Sequence, residues 1–253
     1  MILSDFHVHT IYCDGADTPE TMVLAGIEKG LSSIGILAHS YTSFDSRYCL
    51  QKEKIQEFIS EINRLKEKYK DKIKVFCGVE QDYFADFDTN GFDYAIGSVH
   101  YVEVDGKRLE IDESEEITVD IVNKYFNGDW YALIDCYYGL VGKVIEKTGA
   151  DIIGHFDIIT KFNEGGKYFD ETDARYVKSY TSAVDKLIPF NKPFEINTGA
   201  VYKGYKALPY PSFDIIAYIE EKGGKFILSS DSHKKESLCY TFDRLEEFNG
   251  FFK

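Results

Sequence analysis

The six histidines of the chain are His7, His9, His39, His100, His155 and His233. His7 and His9 lie in the apolar run that opens the sequence. The two-residue period of a strand puts their imidazoles on one face, aimed at one point. Converging neutral imidazoles suit a first-row divalent metal. A two-histidine motif is weak by itself, because one ring can be structural and the other a chance neighbour. Carboxylates repeat the pattern further on. Glu80 closes Gly78-Val-Glu80, Asp231 precedes His233 by two residues, and Asp14 sits in a Cys13-Asp14-Gly15 turn beside a small thiol.

The elements that must position these groups are legible as alternating short apolar runs and longer amphipathic ones. Strands are expected at 2–9, 33–39, 74–80, 93–100, 151–155, 193–197 and 224–231. Helices are expected at 19–30, with Thr18 as N-cap and Pro19 in the first turn, and at 51–69, 172–187 and 213–222. A long helical region at 119–148 is expected to break at Gly128 and Gly139, and a last helix to begin near 235. Strand followed by helix, repeated, predicts a parallel α/β architecture. Every histidine falls at or just past the C-terminal end of an expected strand, the rim that carries catalytic groups in barrels. That placement makes a shared site the stronger reading of the histidine pair.

Nine candidate ligands result: His7, His9, Asp14, His39, Glu80, His100, His155, Asp231 and His233. Zinc takes about four ligands, so two or three ions are implied, with Glu80 as the natural bridge. Such a centre attracts a phosphate dianion and lowers the pKa of a bridging water toward neutrality.

Composition narrows the class. With 253 residues, 5 prolines and no Gly/Ser-rich tract, the chain is expected to be one domain over 1–253. A net charge of −14 opposes polynucleotide and anionic-membrane partners, both of which need a basic face. The 5 cysteines are scattered, without a C-x-x-C pair, as in a protein of a reducing compartment. The N-terminus lacks a signal-peptide pattern and no apolar run approaches the ~20 residues of a membrane span. A cytoplasmic location follows as the expectation.

The series His7-Val-His9, Asp14, His39-Ser40, Gly78-Val-Glu80, Gly97-Ser-Val-His100, Gly154-His155, Glu195-Ile-Asn197-Thr198 and Ser230-Asp231-Ser-His233 resembles the polymerase-and-histidinol-phosphatase (PHP) family. The likeness runs in the family's order over almost the whole chain. It is greatest to the monofunctional histidinol-phosphate phosphatases of bacteria. The resemblance implies a distorted (β/α)7 TIM-like barrel with a trinuclear site of zinc, manganese or iron at the strand C-termini. It implies hydrolysis of a phosphate monoester, most closely L-histidinol phosphate in histidine biosynthesis, by a hydroxide bridging the metals. His7, His9, Glu80 and Asp231 would hold one ion, Glu80, His100 and His155 a second, and Asp14, His39 and His233 a third. Asp231 and His233 are also the candidates to protonate the leaving alkoxide.

Candidate substrate contacts are Lys161, Lys203, Asn197 and Arg47. The family tends to place arginine near the positions of Thr160-Lys161 and Tyr202-Lys203. Lysine serves phosphate as a point charge without the bidentate fork, so a different small phosphate ester is the second reading. A phosphodiesterase or exonuclease and a non-catalytic metal-binding module are the remaining alternatives. The acidic run from Asp112 to Glu116 is expected to favour the positive end of a helix, with a contact to a substrate amine as its other reading.

Overall fold

The computed structural model describes residues 4–244. Seven parallel strands form one sheet: β1 (Ser4–Val8), β2 (Ser33–Ile36), β3 (Lys74–Asp82), β4 (Tyr94–Ser98), β7 (Ile152–Ile153), β8 (Phe194–Asn197) and β9 (Phe226–Ser229), in that spatial order. The first and last strands meet through a parallel bridge between Val8 and Ser232. The His9 amide donates to the Ser232 carbonyl at 2.7 Å and the Ser232 amide to the His7 carbonyl at 3.0 Å. The buried Asp5 carboxylate adds to the seam by accepting from the Ser230 amide and hydroxyl. The sheet is thus a (β/α)7 barrel whose closure lies at its C-terminal rim.

The barrel is distorted because its connections differ. Helix α1 (Pro19–Glu28) joins β1 to β2, and α2 (Ile55–Tyr69) joins β2 to β3. The β3–β4 connection has no helix. Between β4 and β7 come an antiparallel hairpin, β5 (Tyr101–Val104) and β6 (Lys107–Glu110), and the helices α3 (Glu115–Tyr125), α4 (Trp130–Val141) and α5 (Val144–Thr148). Helix α6 (Ala174–Leu187) leads to β8, and α7 (Gly199–Lys203) and α8 (Phe213–Glu221) lead to β9. Outward-facing Ile34, Ile36, Val75 and Cys77 pack under α1 and α2, against Met22, Phe58 and Ile62. Val79, Ala95, Ile153 and Phe194 pack against α4 and α6. Apolar burial on both faces explains why the strands read as continuous hydrophobic runs.

The barrel interior below the rim is filled by Leu37, Ile96 and Ile152 with Tyr94 and Ile227. Asp5 pairs with Ile34 and Val8 with Ile36, three residues against two. This bulge lets Phe6 pack on Phe76 and Tyr94 while His7 and His9 both reach the rim. The Tyr94 ring crosses toward β1, and its hydroxyl donates to the Phe6 carbonyl at 2.6 Å. Gly35 and Gly78 make room for it, since a Cβ would sit 2.2 Å from the Tyr94 hydroxyl at Gly35 and 2.3 Å from the ring at Gly78.

Three sequence expectations differ from the structure. Gly139 lies inside α4, and the second break falls at Gly142, where a Cβ would be 3.2 Å from the Ala183 Cα of α6; close helix approach ends α4. The strand at 93–100 stops at Ser98, and residues 101–110 turn back as a hairpin. The helix expected from 235 is represented among the described residues by 3-10 turns at Lys235–Ser237 and Phe242–Arg244. Residues 2 and 3 of the first expected strand lie outside the described residues.

Gly78→Ala is expected to destabilise the fold by about 1–3 kcal/mol through forced displacement of Tyr94. Urea unfolding followed by tyrosine fluorescence measures it, and Tyr94→Phe on the Gly78→Ala background, which removes no ring volume, should not restore stability.

Candidate metal centre

Glu80 stands near the end of β3, 1% exposed, with imidazoles around both of its oxygens. His39 Nδ1, His7 Nε2 and His9 Nε2 lie 3.0, 3.3 and 3.4 Å from Oε2. His155 Nε2 and His100 Nε2 lie 2.9 and 3.3 Å from Oε1. His7 and His9 arrive from β1, and His39, His100 and His155 stand two or three residues past β2, β4 and β7. Five side chains from four strands therefore converge on one carboxylate. From the seam, Asp231 places Oδ1 3.6 Å from His7 Nε2 and 3.5 Å from His9 Nε2. Asp14 sits above, 3.1 Å from His233 Nε2 and 3.6 Å from both His9 Nδ1 and His39 Nε2.

All nine groups singled out in the sequence thus lie in one connected cluster. Three sets hold ligand atoms close enough for an ion: His9, Asp14, His39 and His233; His7, His9 and Glu80; His39, Glu80 and His100. His9 and His39 appear in two sets each, because their two ring nitrogens face different carboxylates. A neutral imidazole has one lone pair, so each ring serves one ion at a time. Two features show that the cluster fits metal. Glu80 Oε2 is buried without a hydrogen-bond partner although three imidazole nitrogens surround it. In addition, His7 Nε2 and His9 Nε2 point at each other 3.0 Å apart, an arrangement suited to lone pairs converging on a cation.

The other nitrogens of three rings, those of His7, His100 and His233, are held from behind. Glu195 on β8 places Oε1 2.7 Å from His7 Nδ1, and its Oε2 accepts the His155 backbone amide at 2.9 Å. Asp82, two residues beyond Glu80, places Oδ2 3.3 Å from His100 Nδ1. The Asp231 carbonyl oxygen lies 2.9 Å from His233 Nδ1. Each partner takes the ring hydrogen and turns Nε2 inward. Sequence reasoning gave Glu195 and Asp82 no role. Their signal was the strand period, since Glu195 shares a face with Asn197 and Asp82 with Glu80.

Without metal the cluster is a lattice of ion pairs. Burial disfavours charge on every member, yet Asp14, Glu80 and Asp231 are held well below the carboxylate range by facing imidazoles. Against burial, Glu195, Asp231 and Glu80 raise His7, and Glu80 and Asp14 raise His39. His100, beside Glu80 and Asp82, is pushed up to about 10. His9 alone is pulled down to about 3, by burial and by the charges of His233 and His39. Ring protons stand where cations would compensate the carboxylates.

The cluster floors a cleft of about 210 Å³, with room for on the order of ten waters. Lys161 and Lys203 line it. Lys203 lowers the Asp231 pKa by its charge, whereas the Lys161 ammonium donates to the Asp112 carbonyl. Asn197 is fully buried, with its amide 3.4 Å from both Glu195 Oε2 and Asp231 Oδ2; it orients the ligand Asp231. Arg47 is half-exposed and bonded to Asp45, Glu110 and Glu113, which line the cleft, so its guanidinium is committed behind that wall.

A model of the PHP domain matches residues 5–199. A probable histidinol-phosphatase of Deinococcus radiodurans is 28% identical over 95% of this chain and 90% of its own length. The histidinol-phosphatase of Bacillus subtilis is 24% identical over 96% and 98%. Among solved structures, a Listeria monocytogenes chain assigned as a histidinol phosphatase superposes with a TM-score of 0.83 at 21% identity, over 95% of this chain and 99% of its own. The Lactococcus lactis histidinol phosphate phosphatase, complexed with zinc, L-histidinol and phosphate, superposes with a TM-score of 0.70 at 23% identity, over 97% and 93%. Both likenesses establish the fold.

Glu195→Gln is expected to weaken metal binding by about 10- to 100-fold while the fold persists, read by elemental analysis after dialysis against graded chelator. A second expectation concerns pH. A histidine whose folded pKa is raised stabilises the fold fully below its unfolded value and loses that contribution as pH rises through the folded one. For His100 the window runs from 6.5 to about 10, and His7 and His39 act in the same direction. The Tm of chelated protein should therefore fall as pH climbs from 6.5 toward 10, and added zinc should reverse the fall. A flat profile for chelated protein would contradict the ion-pair lattice.

Proposed function

The chain belongs to the PHP domain family, and from that premise we propose that it is a metal-dependent phosphomonoesterase acting on L-histidinol phosphate. The observation that carries the reading is the gathering of nine candidate ligands, among them five imidazoles around buried Glu80, at the floor of a small open cleft. Relatives that match nearly end to end are named histidinol-phosphatase, and one solved neighbour holds zinc, L-histidinol and phosphate.

The nine groups would hold two or three divalent ions of zinc, manganese or iron, which would supply Lewis acidity and lower the pKa of a bound water toward neutrality. The chain's own residues do the rest. Glu195, Asp82 and Asn197 hold the ligand rings and Asp231 in register. Lys203, on the cleft wall and close enough to act on Asp231, is the point charge for the phosphate oxygens. Lys161, which lines the same cleft and is held by Asp112, is a second cation. Asp231 and His233 line the cleft; since Asp231 is held ionised, a proton that it hands to the leaving alkoxide is one first taken from the attacking water. The five thiols are unpaired, as suits a cytoplasmic enzyme.

A second reading has one specific observation in its favour. With lysine rather than arginine at the phosphate-facing positions, a different small monoester becomes a candidate substrate.

The test is a screen of metal-loaded protein against L-histidinol phosphate, sugar phosphates, nucleotides and p-nitrophenyl phosphate. Release of phosphate fastest from L-histidinol phosphate is the expected result. Preference for another ester selects the second reading, and no turnover of any monoester by protein with a full metal complement would falsify the enzyme assignment.

A further inference from the structure

Two segments outside the barrel strands contribute to the cleft wall beside the metal cluster. One is the hairpin β5–β6 with residues 111–113 after it. The other is residues 204–212, pinned to β8 because the Asn197 amide donates to the Tyr210 carbonyl at 2.7 Å and the Tyr210 amide to the Asn197 carbonyl at 2.9 Å. Two polar groups on this wall lack partners among the described residues. Tyr210 lines the cleft and is only 3% exposed, yet its hydroxyl is unpaired. Asp112 lines the same cleft; its Oδ2 lies 3.5 Å from Lys161 Nζ, while its Oδ1 is buried and unpaired. Both line one cleft, and the Asp112 charge, after burial and Asp157, raises the Tyr210 hydroxyl pKa.

An unpaired buried carboxylate oxygen and an unpaired buried hydroxyl each cost free energy unless something supplies the missing bonds. The missing partner is a donor for Asp112 and a donor or acceptor for Tyr210. The surrounding charge selects its sign. Asp45, Glu110, Asp112 and Glu113 all line the cleft, and the cations engaged with them are Arg47 and Lys161. Burial and the neighbouring Glu113 push the Glu110 carboxyl up to about 8, so three charged carboxylates stand against two bases, and this pole of the cleft keeps a slight negative excess while the metal pole is built for a phosphate anion.

We propose that Asp112 and Tyr210 form a leaving-group subsite that takes a protonated nitrogen, an ammonium or imidazolium, on the alcohol part of the substrate. This rests on the phosphomonoesterase reading and extends it to the substrate class. The cleft is then complementary to a zwitterionic ester, anionic at phosphorus and cationic at the far end. Esters whose alcohol part carries further negative charge meet repulsion from the acidic wall. Asp112 and Tyr210 are specificity-determining residues, and the phosphoryl chemistry stays with the metal cluster and Lys203.

The test compares Asp112→Asn and Tyr210→Phe with wild type, with metal content verified for each. Two substrate pairs are used: L-histidinol phosphate against p-nitrophenyl phosphate, and phosphoethanolamine against propyl phosphate, which exchanges an ammonium for a methyl at similar length. Binding of L-histidinol by titration calorimetry gives a readout without turnover. Asp112→Asn should lose about tenfold or more in kcat/KM on the cationic member relative to the neutral one. It should weaken L-histidinol binding by a similar factor. Tyr210→Phe, which keeps the ring volume, should act in the same direction by a smaller factor. Equal losses on both members of each pair would assign Asp112 to the phosphoryl or metal machinery and overturn the subsite. Should wild type hydrolyse esters but not L-histidinol phosphate, the substrate assignment fails. The subsite then stands or falls on whether phosphoethanolamine is preferred to propyl phosphate and whether Asp112→Asn abolishes that preference.

Discussion

A buried carboxylate that cannot be left alone governs this molecule. Glu80 lies in the barrel mouth, and a lone ionised carboxylate there would cost several kcal/mol of desolvation. The chain answers with five imidazoles around its two oxygens, and those imidazoles need partners in turn. Glu195, Asp82, Asp14 and Asp231 supply them, each fixed by backbone amides or neighbouring strands. Polar demand therefore propagates outward from one residue until it reaches the sheet. Bound cations are the natural compensation, and in their absence ring protons take the same places.

Closure of the barrel serves the same constraint. The seam between β1 and β9 consists of a bridge at Val8–Ser232 and the Asp5–Ser230 contacts. His7 and His9 lie on one side of that seam, and Asp231 and His233 on the other. Asp231 adopts a left-handed backbone, with φ of 50°, which costs an asparagine or aspartate less than other residues. The strained turn and the weak seam meet where the ligands must cross from the last strand to the first. Interior packing of Tyr94 against the two glycines holds the strands beneath in a single register.

Chemistry and selectivity occupy different parts of the chain. Every metal-facing group except Asp14, which sits in the turn after β1, stands on a barrel strand or a few residues past its end. The acidic wall, by contrast, hangs on the hairpin with residues 111–113 and on Asp45 of the loop after β2. Such a division lets substrate choice vary with the insertions while the metal cluster stays fixed by the sheet. Lysine at 161 and 203 belongs to the same variable layer.

Much of this was legible before folding was considered. Strand periodicity placed His7 with His9 and Asp231 with His233, and the location of each histidine at a strand end pointed to one rim. The seven strands and most helices follow from local hydrophobic period, because burial on both faces or on one stripe leaves a regular trace. Other features had no local trace. The end of α4 at Gly142 rather than Gly139 depends on how closely α6 approaches. The commitment of Arg47 to Glu110 and Glu113 and of Asn197 to Asp231 joins residues far apart in the chain, as does the support of His7 by Glu195. The sequence by itself determined which chemistry the protein carries, since residue type and strand period are local properties. Which groups hold metal, which hold those groups, and which are left unpaired to meet a substrate was decided only when the barrel closed, because distance between strands is a property of the whole sheet.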